Sequence, residues 1–405
     1  MKITSLKVKG SRVCLINTDK FKTTSVCLVY RLPLERQTVS SYGLIPRVLA
    51  RGTMAHPHMR AINCLLEEAG GGEFIPQVVK KGEEQILSFC LTAPEQYTGK
   101  LFELLGEIIA SPFVKDGGFM PSYVQNACNV AAMEIADKVN DRRSWTVEKM
   151  IEAMCKKEPF GICGDGYIKD FGDISSTGLY ESFLKMKSNC AREIYITGNV
   201  TESQAESYIN NCIEESRDNY SGKRYNNAVE KHSPKLYKEK ADTAQSCLAI
   251  GIRCGNADYA RLLVANEILG GSPASRLFSD IREKRSLCYY ISSRLYRYKK
   301  IISVEAGIEA KNAKTVTDFV GEQLDTINKR GVAAKEIDLA KRGLISSLNA
   351  IRDNPCQLMD FMLSLAVDGR EWSFEDTVQS IEKVDSIKGV FDDAFIDTVF
   401  LCEEG

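Results

Sequence analysis

Apolar runs of strand length recur at two places in the chain, and each is followed by a stretch with helical spacing. Residues 25–30 (SVCLVY) and 246–250 (SCLAI) are short and apolar, which predicts a buried strand in each case. Cys27 and Cys247 stand at matching positions in these runs, 220 residues apart. The pattern predicts that the second half of the chain repeats the first.

The repeat extends over the elements that follow. Each half has a second apolar strand, at 86–91 and at 301–308. Two amphipathic helices come next in each half, with apolar residues at i, i+3, i+4 and i+7. The predicted helices span 99–113, 124–141, 313–331 and 336–355. The second helices end near Asp141 and Asp353, which are 212 positions apart, so the halves align with few insertions.

Strands mixed with pairs of helices, without regular alternation of strand and helix, indicate an α+β fold. Each half is expected to form a domain in which an antiparallel sheet is covered by helices on one face. A late strand at 191–200 completes the first half, and a polar stretch follows it. The predicted division is a domain at 1–220, a linker at 221–238 and a second domain at 239–405.

Composition limits the classes of partner. Of the 405 residues, 44% are apolar and 26% are charged, which is typical of a folded globular chain. The 53 Lys and Arg residues nearly cancel the 54 Asp and Glu residues, whereas binding to nucleic acid or to an anionic membrane requires a basic face. Neither nucleic acid nor a membrane is therefore expected as the main partner.

The N-terminus and the cysteines bear on the cellular compartment. The N-terminal residues alternate polar and apolar positions without the pattern of a signal peptide, and no run reaches the roughly 20 apolar residues that span a bilayer. The 14 cysteines include no C-x-x-C pair and no regular framework, which indicates reduced, buried thiols. We therefore expect a cytoplasmic protein.

Five stretches of the sequence carry a family resemblance. They are NEILGGSPASRLFSDIREKRSLCYY at 266–290, the R-G-T turn at 51–53, GEEQILSFCL at 82–91, M-E-I at 133–135 and REIYITGNV at 192–200. Together they resemble the pitrilysin/insulinase-type zinc metallopeptidases, the inverzincins, over nearly the full chain. The resemblance implies two α+β domains of similar fold, each with a six-stranded sheet, that form half of a clamshell around a peptide substrate.

The same resemblance implies a zinc site whose ligands this chain has lost. Catalytic members carry H-x-x-E-H on the helix before the R-G-T turn, and a distal Glu is the third zinc ligand. Residues 43–51 (GLIPRVLAR) contain neither His nor Glu, while Glu134 stands at the distal position that the resemblance implies. One carboxylate does not hold zinc.

The three histidines, His56, His58 and His232, belong to no H-x-x-E-H motif. His56 and His58 with Glu134 are of the residue types that bind zinc, but His-Pro-His follows a turn signal and lacks helical spacing. The favoured interpretation is that both are exposed loop residues and that Glu134 is a solvated or paired carboxylate. No metal ligand and no cofactor is therefore assigned to this chain.

Two residues of the second half match family positions that reach towards the scissile peptide. On the resemblance these are Arg282 and Tyr289; a guanidinium can hold a substrate carbonyl, and a phenol can donate to a developing oxyanion. A structural interpretation stays open. Arg282 lies in a mixed-charge stretch typical of a solvated helix face, and Tyr289 can pack in a sheet core beside Tyr290.

These features predict a non-catalytic subunit of a heterodimeric zinc peptidase. A homologous partner with H-x-x-E-H would bring the zinc and the base, and this chain would close the chamber around the peptide substrate and supply Arg282 and Tyr289. A peptide-binding or assembly scaffold without proteolysis is the alternative. An independent zinc enzyme with a displaced site ranks third.

Overall fold

The computed structural model describes residues 1–216, 229–241 and 245–405 of the chain. These residues form two compact units that are not continuous in sequence. Within the described residues, the first unit contains 1–136, 162–216 and 351–373, and the second contains 137–161, 229–350 (apart from 242–244) and 374–405.

Strands and helices follow one another irregularly along the chain. The strands are β1 (Lys2–Val8), β2 (Ser11–Asn17), β3 (Thr23–Pro33), β4 (Glu73–Lys81), β5 (Glu84–Pro94), β6 (Val114–Lys115), β7 (Gly118–Phe119), β8 (Ala191–Gly198), β9 (Lys235–Ala241), β10 (Ser246–Arg253), β11 (Cys288–Tyr296), β12 (Ile301–Ile308) and β13 (Phe395–Glu404). The helices are α1 (Val39–Leu49), α2 (Met59–Glu68), α3 (Thr98–Ala110), α4 (Pro121–Asp137), α5 (Arg142–Met154), α6 (Ser176–Asn189), α7 (Glu202–Cys212), α8 (Tyr259–Asn266), α9 (Ala313–Arg330), α10 (Ala334–Ile351), α11 (Pro355–Val367) and α12 (Phe374–Glu382). As far as the described residues extend, none of these helices is long and apolar enough to cross a bilayer.

The first unit is built on a six-stranded sheet in the order β1-β2-β8-β3-β5-β4. All neighbours are antiparallel except β2 and β8, which are parallel. Every residue of β3 between its two ends is buried, because this strand is central and both its faces are covered, whereas the edge strand β1 mixes exposed and half-buried positions. The predicted α+β class, a mostly antiparallel sheet with helices, is confirmed.

The second unit repeats this plan with a five-stranded sheet in the order β11-β12-β10-β13-β9. The central strand β10 corresponds to β3 and is likewise buried along its whole length. β13 corresponds to β8, and its neighbour β9 is parallel to it, as β2 is to β8. The duplication predicted from the sequence is therefore visible in the order and direction of the strands. Among the described residues, this sheet has no counterpart of β1.

The end of the predicted linker 221–238 belongs to the second sheet. Residues 221–228 of that linker lie outside the described residues. Lys235–Ala241 forms β9, which pairs with β13 along its whole length. Residues 235–238 are therefore part of the sheet, since their backbone groups find partners on β13.

Each unit contains one helix from the other half of the sequence. α5 lies in the second unit and packs on β10, β12 and β13, while α11 lies in the first unit against β3 and β8. At Gly251 on β10, a Cβ atom would lie 2.5 Å from Sδ of Met150 and 2.6 Å from Sδ of Met154. Glycine at this position therefore allows α5 to approach the sheet closely. The sequence predicted two domains that are each continuous along the chain, and that division does not include this exchange of α5 and α11.

A buried arginine holds the exchanged helix of the second unit. Arg253, the last residue of β10, donates to Oδ2 of Asp397 on β13 at 2.7 Å and to Oε1 of Glu158 at 2.6 Å. It also donates to the carbonyl oxygen of Met154, the last residue of α5, at 3.1 Å. The last carbonyls of a helix have no partner inside the helix, so this guanidinium caps α5 while it neutralises two carboxylates.

Arg31 has the same role in the first unit. It donates to both carboxylate oxygens of Glu84, at 2.8 and 2.9 Å, and to Oε1 of Glu193 at 3.1 Å. It also donates to the carbonyl oxygen of Ala366, near the end of α11, at 3.3 Å. Glu193 and Asp397 are each the third residue of their strand, so both units fasten the exchanged helix with the same arrangement of strand, carboxylate and arginine.

Acid is expected to weaken the second unit through Glu158. Burial alone raises the pKa of Glu158, but hydrogen bonds from Lys299 and Arg253 outweigh burial and hold this pKa below its ordinary value of 4.5. A carboxylate with a lowered pKa in the folded state stabilises the fold at higher pH and loses this contribution as the pH falls through the folded-state pKa. The unfolding free energies of the native chain and of Glu158→Gln should therefore differ most near neutral pH and converge as the pH falls through the folded-state pKa of Glu158.

Urea unfolding midpoints measured across this pH range check the prediction. Glu322→Gln removes an exposed carboxylate on α9 and is the control, for which no such convergence with the native chain is expected. A stability difference between Glu158→Gln and the native chain that does not change with pH would contradict the proposed charge interaction.

Cys27 and Cys90 form a disulfide, which the sequence-based expectation of reduced thiols missed. The two residues are opposed in the register of β3 and β5, with their Cα atoms 4.0 Å apart. Directly opposed cysteines on antiparallel strands have their sulfur atoms close together, and this pairing is not visible in sequence spacing. The other twelve cysteines carry free thiols, and nine of these are buried, in line with the expectation. The cytoplasmic compartment stays a prediction.

Candidate functional site

Arg282 lies in a π-helical turn that precedes β11. The π-helical segment is Phe278–Glu283, and just after it the backbone N–H of Lys284 donates to the carbonyl of Ser279, five residues back, at 3.1 Å. Turns of this kind are rare and frequently occur at functional sites. The Arg282 side chain is exposed, and its guanidinium lies over the ring of Phe278, 4.6 Å from the ring centroid.

Tyr289 is the second residue of β11, and 62% of its surface is exposed. Its neighbour Tyr290 is half-buried; its hydroxyl donates to Sγ of Cys247 at 3.6 Å, and its ring lies under the guanidinium of Arg143. Burial and the hydrogen bond to Cys247 raise the pKa of Tyr290 well above its ordinary value. The sequence left open that Tyr289 packs in the sheet; in the structure Tyr290 does so, and Tyr289 does not.

Arg282 and Tyr289 line the same pocket, which has a volume of about 460 Å³. The other lining residues are Ser286, Leu287, Cys288, Glu309 and Asn312. Ser286 adopts a left-handed conformation (φ 51°), and its N–H donates to the carbonyl of Arg282 at 3.1 Å. A left-handed residue other than glycine is uncommon, and such residues concentrate at functional loops. The structure thus brings together the two residues that the sequence singled out.

Both side chains carry donors that the described chain leaves unused. Among the described residues, no carboxylate pairs with Arg282 and no hydrogen bond is made by the Tyr289 hydroxyl. Glu309 of the same pocket is paired with Lys311 at 2.6 Å. Burial raises the pKa of Cys288 to about 11, and the positive charge of Arg282 opposes that rise. The pocket therefore offers a guanidinium and a phenol to a carbonyl or carboxylate group.

The helix that carries zinc ligands in the resembled family is α1 in this chain. It contains Pro46 in its interior and Arg47 in its last turn. Nη1 of Arg47 lies 2.9 Å from Oε1 of Glu134 on α4, and Nη2 lies 2.5 Å from Oε2. Glu134 is therefore a paired carboxylate, as the favoured interpretation of the sequence held.

The nearby histidines have other partners. Nδ1 of His56 lies 2.8 Å from Oε1 of Glu107, and Nδ1 of His58 lies 3.3 Å from the hydroxyl of Tyr123. Across residues 1–216, 229–241 and 245–405, no group of three or more His, Cys, Asp and Glu side chains could hold a metal ion. The zinc ion that the resemblance implies does not fit the residues present, since a zinc site needs at least three protein ligands.

Comparison with known proteins bears on the family resemblance. A family model described as peptidase M16 inactive domain matches residues 176–344. A Bacillus subtilis protein described as a probable inactive metalloprotease, YmfF, is 29% identical, and the alignment covers 94% of this chain and 93% of that protein. The chain is therefore similar to the M16 peptidase family over residues 176–344 and to a probable inactive metalloprotease over almost its full length. The resemblance to the pitrilysin/insulinase-type peptidases is thereby confirmed, and this chain lacks the H-x-x-E-H motif.

Solved structures agree on the fold of this chain. A conserved protein from Enterococcus faecalis has a TM-score of 0.90 at 21% identity, covering 100% of this chain and 99% of that protein. A peptidase M16 inactive domain from Pseudomonas fluorescens has a TM-score of 0.82 at 16% identity, covering 100% of this chain and 98% of that one. At these identities the likeness shows the fold alone.

Some residues of these sites were missed by the sequence prediction. Glu309 and Asn312 lie within four residues after the apolar run 301–308, and polar residues just after a predicted strand are the signal that could have identified them. No such sequence signal marked Glu134 as the partner of Arg47. Arg47 and Glu134 are 87 positions apart, and no local pattern relates them.

Proposed function

We propose that this chain is a non-catalytic subunit of a heterodimeric zinc peptidase. The observation that carries the proposal is the pocket in which Arg282 and Tyr289 present unused donors, in a chain whose Glu134 is bound by Arg47. Such donors can hold a substrate carbonyl, but peptide hydrolysis also requires an activated water. In this proposal a homologous chain with H-x-x-E-H, in the cytoplasm with this one, provides that water.

The two chains would divide the chemistry between them. The zinc ion of the partner supplies a nucleophilic water at neutral pH. In this chain, the guanidinium of Arg282 holds a substrate carbonyl, and the hydroxyl of Tyr289 donates to the oxygen that becomes negative in the transition state. A donor aimed at developing charge accelerates the reaction because its hydrogen bond strengthens as that charge forms. This chain also closes the chamber around the peptide.

A peptide-binding or assembly scaffold is the second candidate function. It is favoured by the same pocket, because Arg282 and exposed Tyr289 can bind a peptide carbonyl or carboxylate without any cleavage. A scaffold would hold its peptide with the same affinity whether or not a zinc-bearing chain is present.

Loss of Arg282 or Tyr289 is expected to reduce the peptidase activity of the reconstituted pair. The chain is purified with and without an H-x-x-E-H homologue from the same genome, and cleavage of a peptide library is measured with and without a chelator. Arg282→Ala and Tyr289→Phe are each expected to lower kcat/KM by on the order of 10²-fold, as the loss of one oxyanion donor does.

Arg285→Ala and Tyr290→Phe are the matched controls. Arg285 stacks on the ring of Phe319 at 3.9 Å and Tyr290 bonds to Cys247, and neither lines the pocket. Activity that survives Arg282→Ala together with Tyr289→Phe would exclude the proposed role. A pair that binds peptide but does not cleave it when zinc is supplied would favour the scaffold.

A further inference from the structure

Glu134 stands where the resemblance implies the third zinc ligand, and in this chain it is bound by a guanidinium. Two nitrogens of Arg47 face the two oxygens of Glu134, which is the most favourable geometry for this pair of groups. The side chains are 30% and 55% exposed, so the pair lies at the surface. We infer that the guanidinium of Arg47 takes the place of the metal ion and ties α1 to α4 without one.

The spacing of H-x-x-E-H agrees with this assignment. The second His of the motif lies four residues after the first and directly after the Glu. If the residue that reaches Glu134 takes the position of the second His, the first His falls on Gly43 and the Glu on Pro46. The motif then ends at Arg47, shortly before the R-G-T turn at 51–53, as the resemblance requires.

The first position of this register has room for a Cβ atom. A Cβ atom at Gly43 would lie 3.4 Å from the carbonyl oxygen of Asp165 and 3.6 Å from Nε2 of Gln85, which are ordinary contacts. A residue other than glycine at this position therefore brings no backbone clash at its Cβ atom.

A second contact repeats the pattern just beyond the end of α1. Arg51, four residues after Arg47, donates to Oδ1 of Asn126 on α4. Asn126 and Glu134 are eight residues apart, about two helical turns, so the two arginines contact the same face of α4. Two polar links therefore join α4 to the last turn of α1 and to the residues just after it, where a metal site would require ligands from both helices.

The carboxylate of Glu134 already has a cation beside it, the guanidinium of Arg47. The guanidinium keeps its charge at any physiological pH, and a zinc ion that displaced it would find only one protein ligand in Glu134. His56 and His58 are bound to Glu107 and Tyr123. Neither added zinc nor a chelator is therefore expected to change the melting temperature of the native chain.

Exchange of the two charges tests whether the pair stabilises the chain. Arg47→Glu and Glu134→Arg each place like charges together and are each expected to lower the melting temperature by about 2 °C. The double variant should recover most of that loss. Arg60→Glu, at an exposed arginine of α2, is the control and should change the melting temperature by less than about 1 °C. Single variants that melt like the control, or a double variant that recovers nothing, would overturn the inference.

Restoring H-x-x-E-H tests whether the guanidinium of Arg47 occupies the position of the metal ion. Gly43→His, Pro46→Glu and Arg47→His together remove it and rebuild H-x-x-E-H. In competition with a chromogenic chelator, this variant should bind about one zinc ion per chain, and the native chain none. Adding Glu134→Gln should weaken zinc binding at least about tenfold, since even the loss of a group behind a ligand costs that much.

Three results of this experiment would overturn the inference. They are zinc bound by the native chain in stoichiometric amount, a restored variant that folds by circular dichroism but binds no zinc, and zinc binding that does not depend on Glu134. If the restored variant does not fold, the melting temperatures of the charge-exchange variants Arg47→Glu and Glu134→Arg test the inference instead. None of these measurements involves a partner chain, so their outcome is independent of the proposed heterodimer.

Discussion

Replacing Arg253 by Met is expected to lower the free energy of unfolding by about 3–5 kcal/mol. The substitution removes the guanidinium from the side chain of Asp397, which is 3% exposed and keeps the hydroxyl of Thr398 and the ring of His232 as partners. It also leaves the last carbonyl of α5 at Met154 without its cap. A buried carboxylate that loses its guanidinium is costly because the protein interior solvates charge poorly. Urea unfolding followed by circular dichroism measures the effect as a lower midpoint at an unchanged slope.

A matched control separates this effect from the loss of any arginine. Arg330→Met removes an exposed arginine at the end of α9 and should change the unfolding free energy by less than about 0.5 kcal/mol. The double variant Arg253→Met with Asp397→Leu should recover part of the loss, because both charges are then absent. If Arg253→Met behaves like Arg330→Met, the guanidinium does not hold the exchanged helix.

Gly106→Ala is expected to cost about 2 kcal/mol of stability, although alanine is the better helix former. Gly106 lies in α3, and a Cβ atom there would lie 2.0 Å from the carbonyl oxygen of Cys212 at the end of α7. A backbone carbonyl cannot rotate away as a side chain can, so the two helices must separate. The loss of their packing should exceed the gain of about 1 kcal/mol in helix propensity.

Gly99→Ala in the same helix is the control for this prediction. The atom nearest to its added Cβ would be Cε1 of Tyr208 at 3.5 Å, an ordinary contact, so the helix propensity of alanine should raise the stability by up to about 1 kcal/mol. Thermal unfolding of both variants makes the comparison. Equal stabilities of the two variants would show that α3 and α7 do not approach at Gly106.

The candidate site was predictable from the sequence only in part. Arg282 and Tyr289 stand in a stretch with a family resemblance, and the structure places both at one pocket. The sequence left open whether Tyr289 packs in the sheet, since a pair of adjacent tyrosines does not show which of them faces the core. That choice depends on how β11 pairs with β12, which turns Tyr290 towards Cys247 and Tyr289 to solvent.

The sequence by itself determined the α+β class and the duplication, and together with the family resemblance it indicated the loss of the zinc ligands. The class and the duplication follow from hydrophobic periodicity, which is a local property, and the apolar run 301–308 coincides with β12 for that reason. Only the tertiary structure decided that α5 and α11 each join the unit of the other half, and that Arg47 binds Glu134. These features depend on side chains that are distant in sequence and meet only when the chain folds, so no local pattern records them.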